Sequence, residues 1–334
     1  MTIATSDGRR SRDRSRRRFV LTAAAATAVA ALPAARAQSS YPTRPVMLIH
    51  GFGAGGNADV VARLIGRKLQ DTLGQPVVIE IKSGAGGSIA SAQVAKAAPD
   101  GYSLVMLTGA HTVSAALRKN LPYDPVKDFA FISTVSAFPF VVGVRAEHPA
   151  QTLAQLLEAA RKDRITFSSV GVGSTQHMVG ELLGATAKAQ LLHVPYRGGG
   201  APIQAVLGGE VDLLCDTLTV ATPHIKSGRL RALAVTSAQP WPSLPGVPPV
   251  SATLPGFEVR SWLGLAAPAG TPEPIVQRLN ADVRAALQSQ DVQQALANVG
   301  SIASPGTPQA MQEMVQSEIA RWGGVIASRG ITVE

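Results

Sequence analysis

The sequence predicts an α/β protein built as two units, each with a mainly parallel sheet covered by helices. Three observations carry this expectation. Apolar runs of strand length alternate with helix-period segments along the chain, the pattern that βαβ units leave in a sequence. The alternation restarts near residue 140. The first strand-to-helix turn of each unit is rich in glycine, with Gly51, Gly53, Gly55 and Gly56 in the first and Gly171 and Gly173 in the second.

In the first unit, residues 45–49 read as a strand. Residues 59–73 read as a helix, with Val60, Leu64 and Leu73 on one face and Gly74-Gln75-Pro76 as its stop. A strand at 77–81 leads into a second glycine-rich loop, Ser83-Gly84-Ala85-Gly86-Gly87-Ser88. A small-residue helix at 89–98 ends at Pro99-Asp100-Gly101, and 104–107 is the third strand.

In the second unit, 140–144 is a strand and 153–161 a helix with Thr152 as N-cap. A strand at 166–169 and a helix at 176–187 bracket the glycine loop. A strand at 191–194, a helix at 201–207 and strands at 213–215 and 231–235 follow. Residues 241–257, rich in Pro and Gly, read as a connector. A strand at 262–266 and helices at 274–288 and 308–328 close the chain. The first unit has only three strands of its own, so this last segment is expected to complete it. The chain would then cross between units near 140 and 260, giving one domain from 38–140 plus 262–334 and another from 141–261.

The chain is 334 residues long, 46% hydrophobic and 16% charged, a globular composition. Its net charge of +9 invites a nucleic-acid reading. Residues 1–37, however, carry eight arginines against Asp7 and Asp13, which is +6 of the +9 and leaves +3 for the rest. With aromatics at 4%, nucleic acid is set aside as a partner.

Those first residues read as an export leader. An arginine-rich segment precedes the apolar run 19–32, and Ala35-Arg36-Ala37 matches a small-x-small cleavage pattern. Ser15-Arg16-Arg17-Arg18-Phe19-Val20 resembles the twin-arginine signal, although arginine-rich general-export leaders look similar. The apolar run is too short to span a bilayer. Cleavage near Ala37 would leave a mature chain starting near Gln38 in the periplasm. Cys215 is the only cysteine and reads as a buried thiol in a strand.

A search for catalytic constellations finds little. The six histidines show no metal-ligand spacing, there is no C-x-x-C, and neither a nucleophile elbow nor a P-loop is present. His177 and Glu181, four residues apart on a predicted helix, read as a surface or capping pair rather than a metal site. No cofactor is expected. What stands out is a pair of glycine-rich helix N-termini, at Gly55-Gly56-Asn57 and at Gly173-Ser174-Thr175-Gln176. Unpaired N–H groups and the helix dipole favour an anion at such points. Two of them at matched positions suit a small anion gripped from both sides of a cleft.

The blocks that carry a resemblance run from Tyr41 to the C-terminus. They include Tyr41-Pro42-x-Arg44-Pro45, Gly55-Gly56-x-x-Asp59-x-x-Ala62-Arg63, Leu73-Gly74-Gln75-Pro76-Val77-Val78 and Pro99-Asp100-Gly101-Tyr102. Leu121-Pro122-Tyr123-Asp124-Pro125, His193-Val194-Pro195-Tyr196, Gly208-Gly209-x-Val211-Asp212 and Pro268-Ala269-Gly270-Thr271-Pro272 follow in order. On these the chain resembles the Bug family, the periplasmic solute-binding components of tripartite tricarboxylate transporters. The resemblance implies a two-domain, type II-like binding protein that closes on a small carboxylate, acts as a monomer and delivers its ligand to membrane subunits. It implies ligand contacts at Phe52, Ala54, Gly55, Asn57 and Thr108 in the first domain. In the second it implies Ser168, Gly171, Ser174, Thr175 and His177, with Tyr196 and Asp216 nearby. Three places depart from the family's pattern: His50-Gly51-Phe52 stands for Val-Pro-Phe, Ile81-Lys82-Ser83-Gly84 for Asn-[Arg/Lys]-Pro-Gly, and Val172 for a residue such as Asn.

Two other readings stand beside this one. Gly51, Gly53 and Gly56 spell G-x-G-x-x-G after a strand, which would suit an exported NAD(P)-dependent oxidoreductase. An orphan binder that feeds a sensor would share every feature of the transport receptor.

Overall fold

The computed structural model describes residues 1, 2, 4 and 41–331. The leader expectations fall almost wholly outside the described residues.

The first lobe is built on β1 (Val46–His50), which pairs in parallel with β2 (Val77–Ile81) on one side and β3 (Ser103–Thr108) on the other. α1 (Asn57–Leu73) joins β1 to β2 and ends at Gly74, whose φ of 67° supplies the left-handed cap. α2 (Ser88–Ala95) joins β2 to β3. α3 (Gly109–Leu117) starts without any loop, because Thr108 both ends β3 and caps the helix by accepting from Ala110 N.

β4 (Phe129–Arg145) then runs for 17 residues. The second lobe follows with α4 (Leu153–Lys162), β5 (Ile165–Ser169), α5 (Thr175–Ala187), β6 (Leu191–Pro195) and α6 (Ala201–Leu207). β7 (Leu213–Thr217), α7 (Leu218–Lys226) and β8 (Leu230–Val235) complete it. β5 lies between β6 and β7, parallel to both. The order repeats that of the first lobe. As with β3 and α3, α7 follows β7 directly, with Thr217 as its cap residue. β9 (Arg260–Pro268) returns antiparallel between β3 and β4. α8 (Glu273–Gln288), α9 (Gln290–Asn298), the short β10 (Ile302–Ala303) and α10 (Pro308–Arg329) close the described chain.

β4 is the element that makes the two lobes one sheet. From Phe129 to Pro139 it pairs with β9, and from Phe140 to Arg145 it pairs with β7 and β8. Thr236 fastens this changeover: its hydroxyl donates to Val259 O at 2.6 Å and accepts from Phe140 N at 2.8 Å. The expected parallel pairing therefore holds within each three-stranded group, while the strands that join the groups are antiparallel. Two boundaries are corrected. The strand expected at 140–144 begins at Phe129, so the first lobe is not limited to three strands before the chain crosses. Three helices, not two, follow β9, because Ser289 adopts an extended conformation (φ −72°, ψ 138°) and divides α8 from α9.

Each lobe has its own core. Val94, Leu107, Met311 and Val315 are buried together in the first, and Val141, Val206, Leu214 and Leu218 in the second. Fully burying such side chains contributes roughly 1.5–3 kcal/mol each. Cys215 is buried in β7, and burial pushes its thiol far up. Among the described residues no helix is long and apolar enough to cross a membrane.

Candidate functional site

Four helix N-termini converge on one cavity, two from each lobe. The cavity encloses about 300 Å³ of unfilled space. α1 brings Asn57 and Ala58, and Thr108 opens α3. α5 brings Thr175 and Gln176, and Thr217 opens α7. Phe52 closes one side, and the crossing strands supply Phe138, Phe140, Ser261 and Leu263. Each of these helices starts at the carboxyl end of a parallel strand, where open α/β sheets place their ligands.

No charged side chain lines the cavity. Its polar groups are neutral, and some lack partners. Thr175 is 2% exposed, and its hydroxyl makes no hydrogen bond. Asn57 and Thr219 bridge the lobes, with Oδ1 and Oγ1 2.8 Å apart. The other end of the Asn57 amide is buried and unpaired. Buried polar groups without partners are costly, so their grouping here marks a place built for a polar guest.

The loop before α1 is held from beneath. Asp59 accepts from Gly55 N and from Arg63 Nε, each at 2.9 Å. Burial alone would raise the Asp59 carboxyl, but these hydrogen bonds hold it below its ordinary value. His50, fully buried, stands 3.3 Å from Asp59 through Nε2 and accepts from Phe52 N through Nδ1 at 3.4 Å. Burial lowers its pKa despite the carboxylate beside it. The residue that replaces the family's usual valine thus ties the Phe52 backbone to the base of the helix.

Of the residues expected at the site, Phe52, Asn57, Thr108 and Thr175 line the cavity. Ser174 lies just outside as the α5 cap, its hydroxyl accepting from His177 N at 3.2 Å. Asp216 is buried behind the wall and accepts from Thr217 N at 2.7 Å and from Gln176 at 3.3 Å. Burial raises its carboxyl to about 6 against the pull of those bonds. Ser168 is buried in β5 with its hydroxyl toward Leu213 O. Ala54 and Gly55 are exposed at the tip of the first loop. Gly171 and Tyr196 line a separate, outer cavity of about 990 Å³ beside Gly84, Ala85 and Arg197. None of the unpaired buried polar groups lies in that outer space.

His177 is also off the inner cavity. It stacks on His193 with ring centroids 4.0 Å apart and lies 3.4 Å from Glu181. At 3% exposure it is no surface pair, contrary to the expectation for these two residues. Among the described residues, no group of three or more His, Cys, Asp or Glu could hold a metal ion.

The lobes touch at the cavity's rim through backbone. A β-carbon on Gly53 would stand 2.7 Å from Gly199 N, and one on Gly86 would stand 3.0 Å from Val172 O. Arg118 reaches from the end of α3 to Val172 O at 3.2 Å, and Ser114 donates to Gly173 O at 3.2 Å. The G-x-G-x-x-G stretch is therefore filled by the protein's own backbone, which leaves a pyrophosphate no approach at Gly53.

Sequence reasoning missed Phe138, Phe140, Gln176, Thr217, Ser261 and Leu263. Thr217 had a signal: like Thr108, it is a threonine at the end of an apolar strand run.

The family model described as "Tripartite tricarboxylate transporter family receptor" matches residues 61–331. A UPF0065 protein from the tcbD-tcbE intergenic region of Pseudomonas sp. strain P51 is 37% identical over 314 residues, covering 93% of this chain and 94% of its own. Protein BugT of Bordetella pertussis is 34% identical over 317 residues, 93% of this chain and 95% of its own. Among solved structures, periplasmic binding protein BugD superposes with a TM-score of 0.85 at 35% identity, over 88% of this chain and all of its own. An R. palustris protein solved with adipate gives 0.84 at 36% identity, over 87% and 99%. MatC of Rhodopseudomonas palustris, solved with malate, gives 0.81 at 36% identity, over 86% and 100%.

Proposed function

The chain belongs to the tripartite tricarboxylate transporter receptor family, and on that premise we propose that it is an exported solute-binding protein that captures a small organic carboxylate in the cavity between its lobes. The observation that carries the reading is the convergence of four helix N-termini on a cavity with no charged side chain and a buried, unpaired Thr175 hydroxyl. An anion would replace the missing partner and meet the positive ends of the helices. The adipate and malate bound by two solved relatives support the ligand class.

In this reading the protein works in the periplasm as a monomer and hands its ligand to the membrane subunits of a tripartite tricarboxylate-type transporter. The lobes 38–140 plus 262–334 and 141–261 move about the changeover at Phe140 and Val259, where Thr236 joins both crossing strands. Phe52, Asn57, Thr108 and Thr175 contact the ligand directly. Ser174 and Asp216 set the first turns of α5 and α7, and Ala54, Gly55, Ser168, Gly171, His177 and Tyr196 shape the surrounding loops.

Isothermal calorimetry of the purified protein against mono-, di- and tricarboxylates tests this. Binding by at least one of them is expected. No heat from any member of the panel would sink the proposal, and retention of a nicotinamide cofactor on purification would favour the oxidoreductase reading in its place.

A further inference from the structure

The four helix N-termini are not equivalent. Asp59, in the first turn of α1, already accepts from Gly55 N. Asp216, just before the α7 cap, already accepts from Thr217 N. Each of these termini therefore faces a carboxylate of the protein's own. α3 and α5 have no acidic residue in their first turns. These two come from opposite lobes and meet: a β-carbon on Gly109, the first residue of α3, would stand 3.1 Å from Thr175 Oγ1 and 2.5 Å from Ser261 Oγ. The buried hydroxyl of Thr175 is the unpaired one. One slot for a negative group thus lies between α3 and α5.

The rest of the wall is apolar where the crossing strands supply it, through Phe138, Phe140 and Leu263, with Phe52 facing them from the loop. No Lys, Arg or His reaches the lining. A second carboxylate would have no cation to meet, and the two helix termini left to it are occupied by Asp59 and Asp216. Burying an unpaired charge costs far more than burying a ring or an alkyl chain, which is favourable. The unfilled space, about 300 Å³, lies at the small end of ligand cavities.

We propose that this site, if it is the carboxylate site argued above, selects a monocarboxylate with an apolar aryl or short alkyl body. The carboxylate sits between the N-termini of α3 and α5, against Thr108 and Thr175. The body lies on Phe52, Phe138, Phe140 and Leu263. This preference departs from the dicarboxylates, adipate and malate, held by the two solved relatives.

Calorimetry with benzoate, hexanoate, malate and citrate, at one pH and ionic strength, tests the proposal on the unaltered protein. Benzoate or hexanoate should bind at least ten-fold more tightly than malate and citrate. Along a series from butanoate to hexanoate, each methylene that enters the cavity should add about four-fold. Malate or citrate binding as tightly as either monocarboxylate, or more so, would overturn the inference while leaving the carboxylate site standing. Silence from all of the acids would remove the underlying reading as well. Thr175→Val, which keeps the side chain's shape, should weaken benzoate at least ten-fold with its melting temperature little changed. An unchanged affinity in a folded variant would place the carboxylate elsewhere and overturn the slot.

Discussion

A β-carbon on Gly51 would overlap the Cα of Gly87 and stand 2.9 Å from its carbonyl oxygen. The two glycines belong to different loops, one after β1 and one before α2, and they touch through backbone alone. The family's pattern has proline at this position, and proline carries that β-carbon. The loop of this chain therefore sits closer to Gly87 than a proline would allow. We predict that Gly51→Ala destabilises the fold by roughly 1–3 kcal/mol, the range of overpacked sites. Denaturant unfolding measures this, and a variant as stable as the parent would show that the loop yields freely.

Thr219 and Asn57 join the lobes at 2.8 Å, and the same hydroxyl lies 2.9 Å from Val299 O. An opened form would lose this link. Thr219→Val removes it while nearly preserving volume. A hydrogen bond is worth about 0.5–1.5 kcal/mol net, so carboxylate affinity should fall by roughly two- to twelve-fold, mainly through faster release. Stopped-flow release kinetics would decide. An unaltered off-rate would mean that the link does not report on closure.

Ser174 caps α5, and aspartate can fill the same capping role. Ser174→Asp should therefore fold normally yet place a negative charge beside the slot between α3 and α5. Repulsion of about 1.4 kcal/mol or more predicts at least a ten-fold loss of carboxylate affinity. Undiminished binding would move the anion away from α5.

Acid should destabilise the protein through two buried histidines. Burial lowers His111 to about 4, although its Nε2 hydrogen-bonds Pro125 O at 2.8 Å. Burial, helped by His177, lowers His193 to about 3. Both would take up protons near 6.5 in the unfolded chain. Between pH 6.5 and 4 the unfolded state therefore binds more protons, and stability falls as pH falls. Asp216 runs the other way: with its carboxyl raised to about 6, its contribution declines as pH rises from 4 to 6. Two groups oppose one, so the melting temperature should drop from pH 6.5 to 4, and less steeply in His111→Gln. A melting temperature that stays level or rises over this range would contradict the balance.

Much of the fold could be read before any coordinates. Gly74-Gln75-Pro76 marks the end of α1, and Thr152 marks the start of α4. What escaped were α3 and α7. Each begins on the last residue of a strand, Thr108 or Thr217, so no glycine or proline separates strand from helix. The first half of β4 escaped because Ser133, Thr134 and Ser136 interrupt its apolar pattern. Ser133 is paired inside the fold with Gly306, 173 residues away, a partner that local pattern cannot reveal.

The sequence by itself determined the family, the doubled α/β plan and the two glycine-rich helix starts, because each rests on short-range backbone chemistry. It placed Phe52, Asn57, Thr108 and Thr175 among the groups that face the cavity. It also nominated His177, Gly171 and Tyr196, which the fold turns elsewhere. Only the tertiary structure decided which termini still lack a carboxylate and which apolar groups floor the cavity. Those answers depend on where β4 and β9 cross, and on Asn57 meeting Thr219 across 162 positions of chain. Periodicity reports which face of an element is apolar. Long-range strand pairing decides what that face meets.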